Sequence, residues 1–103
     1  MRIMMKVSIP VVEGNRAVKE GKLGETIQSI LAAQKPEAVY FGATDGERTG
    51  YIIVNMQDNS EVPKFAEPWF LAFNAKITME PVMVPGDLAK AGPDIMQAAK
   101  KYA

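Results

Sequence analysis

The sequence predicts an α+β domain in which two helices cover one face of a four-stranded antiparallel sheet. Three observations carry that prediction. Apolar residues alternate with polar ones over residues 2–9 and again over 75–84, the period of a half-buried strand. Two segments, 23–34 and 62–73, each carry one apolar stripe at helical spacing. Between them lies a β-prone stretch broken by Asp45-Gly46, a strong two-residue hairpin signal. The resulting order is strand, helix, strand, strand, helix, strand, the split βαβ or ferredoxin-like pattern βαββαβ. The 103 residues fit one domain, with a body over 1–84 and a helical tail over 85–103.

Taken in order, Ile3, Met5, Val7 and Ile9 form the greasy side of the first strand, and Pro10 ends its pairing because it has no N–H. Residues 14–34 read as a helix in two pieces. Asn15 is placed to cap the first, Gly21 and Gly24 loosen the middle, and Leu23, Ile27, Ile30 and Leu31 form the stripe of the second. Pro36 stops this helix and drives Lys35 away from helical angles. Residues 37–43 are a short strand. The return strand, 51–56, is apolar at nearly every position, which predicts burial on both faces. Asp58 or Ser60 can cap the next helix, where Pro63 is tolerated in the first turn. Its stripe is Val62, Phe65, Ala66, Trp69 and Phe73, which assigns Trp69 to the core, although a ligand could touch the helix ends. Pro68 falls on the outer side. Asn74 breaks this helix, and Pro81 marks the last strand as an edge or its end. Asp87 starts a short turn and Asp94 a C-terminal helix with a small apolar face of Ile95, Met96 and Ala99, a terminal segment of a kind that docks on a partner or frays.

Twelve basic residues balance twelve acidic ones, which argues against nucleic acid, since phosphate binding needs a cationic excess. The balance gives no support to an anionic membrane surface either. No segment approaches a membrane span, and Lys6 interrupts an apolar start too short for a signal-peptide core, so a cytoplasmic protein is expected. There is no cysteine, hence no disulfide and no thiolate chemistry. There is no histidine, which removes the commonest metal and haem ligand and the commonest acid or base at neutral pH. No metal site and no cofactor are expected. Asp45, Glu47 and Asp58 lack the spacing of a metal loop, and Gly21–Thr26, GKLGET, lacks the Gly-Lys-Ser/Thr ending of a phosphate loop. The run Arg48–Met56, RTGYIIVNM, only partly matches an RNA-recognition strand, with Ile53 standing where an aromatic is needed.

The face left uncovered by the helices would carry Met4, Lys6, Ser8, Tyr51, Ile53, Asn55, Thr78 and Glu80, joined by Tyr40. It is too apolar to be fully wet and too polar for a plain core. Two outcomes fit, alone or together: packing against the same face of a second chain with two-fold symmetry, or one wall of a pocket. Lys6 and Glu80 can orient a carboxylate or shuttle a proton, or simply form an ion pair at an interface. Tyr40, Tyr51 and Asn55 can hydrogen-bond a small aromatic or keto compound, or pack with satisfied polar groups. Arg48, just past the turn, can clamp an anion bidentately or merely solubilise a hairpin tip.

The stretches 23–56 and 66–83 resemble a group of small bacterial proteins of unknown function that is similar to the dimeric α+β barrel superfamily of ferredoxin-like domains. The resemblance covers residues 2 to about 90. That superfamily includes cofactor-free monooxygenases and isomerases, so the resemblance implies a homodimer formed through the sheet face. No catalytic motif is matched, and no catalytic residue is assigned. The expected function is a small-molecule-binding or interaction domain. The alternative is a cofactor-free monooxygenase or isomerase acting on a small aromatic or lactone compound.

Overall fold

Alternation builds the first strand, β1 (Arg2–Ile9), in which every second residue, from Ile3 to Ile9, is buried. In the computed structural model, which describes residues 1–103, Pro10 both ends β1 and begins a helix. Its ring fixes φ at −56°, and its carbonyl accepts the Gly14 N–H at 2.9 Å. Helix α1 (Val11–Lys19) therefore starts several residues before the expected cap, and Asn15 lies inside it without capping anything. The chain leaves α1 through Gly21 at φ +70°, with Lys22 N–H reaching back to the Ala17 carbonyl at 2.8 Å, a glycine-terminated helix end. Helix α2 (Leu23–Gln34) stops where Lys35 turns left-handed ahead of Pro36.

Strands β2 (Ala38–Thr44) and β3 (Glu47–Asn55) are joined by Asp45 and Gly46 at φ +54° and +77°, a two-residue hairpin turn. Since Thr44 pairs with Glu47, β3 begins directly after the turn, four residues earlier than expected, and Arg48 belongs to the strand rather than the hairpin tip. In β3 only one side of the apolar run is buried: Ile52 and Val54 are, while Tyr51 and Ile53 are half-buried, against the expectation of burial on both faces. Asp58 accepts the Ser60 N–H at 2.8 Å and caps a 3₁₀ turn over Asn59–Glu61, which runs into α3 (Val62–Phe73). Phe65, Ala66, Trp69 and Phe73 are buried as the stripe requires, whereas Val62 is exposed. Asn74, left-handed at φ +53°, ends α3 before the edge strand β4 (Lys76–Pro81). Helices α4 (Pro85–Lys90) and α5 (Gly92–Tyr102) follow and bury no residue.

The sheet order is β2-β3-β1-β4, antiparallel throughout, the ferredoxin-like arrangement. All of α1, α2 and α3 pack on the face that carries Met5, Val7, Ile52 and Val54. The core's central cross-link is polar. Gln34, buried at the end of α2, donates to the Phe65 carbonyl at 2.9 Å and accepts from Trp69 Nε1 at 3.3 Å, so it ties α2 to α3. No buried side-chain polar atom is left without a partner.

Candidate functional site

Glycines open a cavity on the helix-covered face. Gly50 of β3 faces the helices from between Arg48 and Ile52, opposite Val7, and offers no side chain to fill the layer. Phe41 of β2 lies across it: a Cβ at position 50 would stand 3.4 Å from the Phe41 ring. The break between α1 and α2 leaves this corner covered by Leu23 and Ile27 of α2 and by Trp69 of α3. The result is a cavity of about 320 Å³ walled by Val7, Ile9, Leu23, Ile27, Ile52 and Trp69, with Phe41 at the rim. Its polar contributors are Arg48 and Thr49.

Arg48 pairs with Ile9 across the β1–β3 ladder, so its side chain is directed to the covered face. It runs beneath α1 at Gly14, the one buried residue of that helix. A Cβ added to Gly14 would meet Arg48 Nη1 at 2.7 Å and Cδ at 3.4 Å, so the bare glycine is what lets the arginine pass. Arg48 is half-buried, forms no side-chain hydrogen bond and has no carboxylate within 4 Å. A planar cation with five N–H donors thus edges an apolar cavity with no counter-ion from the protein.

The other expected site residues lie on the opposite side of the sheet. Tyr40 faces Tyr51, Tyr51 faces Lys6, Lys6 faces Thr78, and Met4 faces Glu80. They share one face, as expected, but enclose no pocket there within the single chain. Lys6 and Glu80 stand diagonally and form no ion pair. The Tyr51 hydroxyl is engaged with Thr44 Oγ1 at 2.6 Å, and Asn55 Oδ1 accepts from the Met1 amino group at 2.9 Å. Two polar grooves run along this side, one past Lys6, Ser8, Thr44, Glu47 and Thr78 and another between Arg2, Glu37, Asn55 and Asp87. Of the six residues singled out in the sequence, the structure therefore brings five to one face and separates Arg48 from them.

Sequence reasoning missed Gly14, Gly50 and Phe41 as parts of a site. A signal was present in each glycine. One inside a helix and one inside a strand both go against local preference, and such positions mark close approach by another group.

Fold and site together define a ferredoxin-like α+β domain with an arginine-edged apolar cavity between helices and sheet. No protein-family model matches the chain, and no curated protein matches its sequence. No group of three acidic residues is placed to hold a metal ion, and no helix is long and apolar enough to cross a membrane.

Proposed function

We propose that the domain binds a small molecule with an apolar body and an anionic head, the body lying between α2 and the sheet and the head paired with Arg48. One observation carries the reading: Arg48, whose guanidinium has no protein counter-ion, is among the residues lining a cavity otherwise walled mainly by hydrocarbon. A carboxylate meets that guanidinium through two parallel charge-assisted bonds, which are strengthened where water is scarce. The volume is at the low end for ligand cavities and suits roughly a dozen non-hydrogen atoms, as in a monocyclic aromatic acid or a medium-chain fatty acid. The cavity offers no carboxylate, histidine or thiol to act as base or nucleophile, which favours binding over the cofactor-free enzyme reading. The dimeric α+β barrel assembly implied by the sequence resemblance belongs to the same proposal. Met4, Tyr51 and Ile53 lie half-exposed on the open sheet face beside exposed Tyr40, where a second chain can close on them.

Trp69 is the single tryptophan and lines the cavity, so its fluorescence reports occupancy directly. Titration with octanoate, phenylacetate and their neutral amides should show the acids binding about tenfold or more tightly than the amides, and Arg48→Met should erase that difference. Equal affinity for acid and amide in the unaltered protein, or no response to either at millimolar concentration, refutes the reading.

A further inference from the structure

The two edges of the sheet differ in kind. At one edge β4 carries Lys76, Glu80 and Pro81, the charges and proline that keep an edge strand from pairing with another chain. At the other edge β2 reads AVYFGAT, seven residues with no charge and no proline. Its backbone is open as well. The two-residue turn makes Thr44 and Glu47 a hydrogen-bonded pair, so every second residue back from it, Gly42, Tyr40 and Ala38, bonds to β3. Val39, Phe41 and Ala43 therefore direct their N–H and C=O groups away from the sheet, where no strand of the chain meets them. Tyr40 is 66% exposed and Phe41 60%, one on each face of the strand, so the chain's own helices and loops leave this edge open.

We infer that β2 pairs with β2 of a second copy of the chain, antiparallel, and joins two four-stranded sheets into one continuous sheet. The unpaired groups name the chemistry of the occupant: backbone donors and acceptors at alternate residues are satisfied by another extended strand. A two-fold axis at the edge sets two identical strands antiparallel, which continues the order of the sheet. With that axis at Phe41, all three outward residues are used. Phe41 bonds to the partner's Phe41, and Val39 and Ala43 bond to the partner's Ala43 and the partner's Val39, two hydrogen bonds in each pair. The side chains fit the same register. Tyr40 comes against the partner's Gly42 and Val39 against the partner's Ala43, large against small, while the two Phe41 rings meet on the helix-covered side. At either end Glu37 nears the partner's Asp45. Arg2 already holds the Glu37 carboxylate at 2.9 and 3.1 Å, and Asp45 sits in the turn, off the ladder. This self-complementarity selects a second copy over an unrelated peptide. The contact uses the backbone of β2 rather than the open sheet face or the cavity interior, and it stands whether or not those readings hold.

Amide hydrogen exchange of the full chain, read by NMR, tests the pairing residue by residue. Ala43→Pro removes one outward N–H and no bond to β3, so the far-UV circular dichroism should be unchanged. At about 1 mM, Val39 and Phe41 of the unaltered chain should exchange at least about tenfold more slowly than in Ala43→Pro, whereas Tyr40 and Gly42, bonded to β3, should be slow in both. Sedimentation should show the assembly weakened about thirtyfold by Ala43→Pro. Ile53→Glu, placed on the open sheet face, should leave the Val39 and Phe41 protection intact, which separates this contact from any pairing through that face. Fast exchange of Val39, Phe41 and Ala43 in the unaltered chain at about 1 mM overturns the inference, whatever assembly forms through the sheet face. So does protection that Ala43→Pro leaves unchanged, and so does protection lost with Ile53→Glu.

Discussion

Replacing Trp69 with alanine removes the largest fully buried side chain of the domain, one with 1% of its surface exposed. A buried aromatic of this size takes roughly 150–250 Å² out of water, most of which is lost on truncation. At about 25 cal/mol per Å², the lost burial costs roughly 4 kcal/mol. Gln34 Oε1 also loses its donor, Trp69 Nε1 at 3.3 Å, which adds about 1 kcal/mol. The Phe73 ring, stacked with Trp69 at 6.2 Å, loses its neighbour as well. One effect works the other way. The vacated space merges with the existing cavity of about 320 Å³, so water can reach Gln34 and soften the loss. The sum is about 4–5 kcal/mol, a large share of the roughly 5–15 kcal/mol that holds a small domain together. Urea unfolding followed by far-UV circular dichroism is the assay, because the substitution deletes the only tryptophan fluorophore. The midpoint should fall by about 2–3 M with an unchanged slope. A loss under about 1.5 kcal/mol would mean that Trp69 is not a keystone of the core and that the helices pack around something else.

Gln34→Leu should cost about 1–3 kcal/mol in the same assay despite similar volume, since it strands the indole N–H of Trp69, and an unchanged midpoint removes the α2–α3 tie from the account. The Ser60 backbone N–H, then the Ser60 side chain, hold the Asp58 carboxyl below its ordinary value of 3.8. The folded value is the lower one, so this cap stabilises the fold fully above pH 3.8 and loses its effect as pH falls through the folded value. Asp58→Asn should accordingly flatten the acid limb of the melting-temperature profile, and an unaltered limb there contradicts the assignment.

The sheet was legible because its information is local. Alternation over 2–9 fixes which side of β1 faces inward, and the ladder carries that choice to β3 and β4. The position of Arg48 was legible in principle and was misread. Glu47 to Gly50 has the composition of a turn, but a two-residue Asp-Gly turn obliges residue 47 to pair with residue 44, and strict alternation then puts Arg48 on the helix side with Ile52 and Val54. The start of α1 is ambiguous in the sequence because Pro10 breaks a strand, while its fixed φ equally suits a helix start. The cavity had no local signature. It arises where Ile9 of β1, Leu23 of α2, Gly50 of β3 and Trp69 of α3 converge, a tertiary coincidence that no single window contains. The open sheet face, by contrast, was assembled correctly residue by residue. The cavity lies on the other face, because the break between α1 and α2 interrupts the cover over the hairpin end of the sheet.

Two local preferences are violated at one spot, and the violation is testable. Gly14 sits inside a helix, where glycine is worse than alanine by about 0.8–1.0 kcal/mol. Arg48 sets a guanidinium against an apolar wall without a counter-ion, where a neutral side chain of similar length is cheaper. Neither choice helps the folded chain alone, and each makes sense with the other, because the missing Cβ at position 14 is what the Nη1 atom occupies. Such paired departures from local consistency are expected where a site is held ready for a ligand. If the anion supplies the missing compensation, the double substitution Gly14→Ala with Arg48→Met should raise unliganded stability by about 1–2 kcal/mol, as helix propensity improves and the lone charge goes. The same protein should no longer prefer acids over amides in the Trp69 titration. The competing account makes Arg48 a structural strut whose methylenes prop α1 off the sheet. On that account the double substitution lowers stability, even though methionine retains an unbranched apolar stem. A midpoint that falls while acid preference survives would place the anion contact elsewhere and reduce Arg48 to packing.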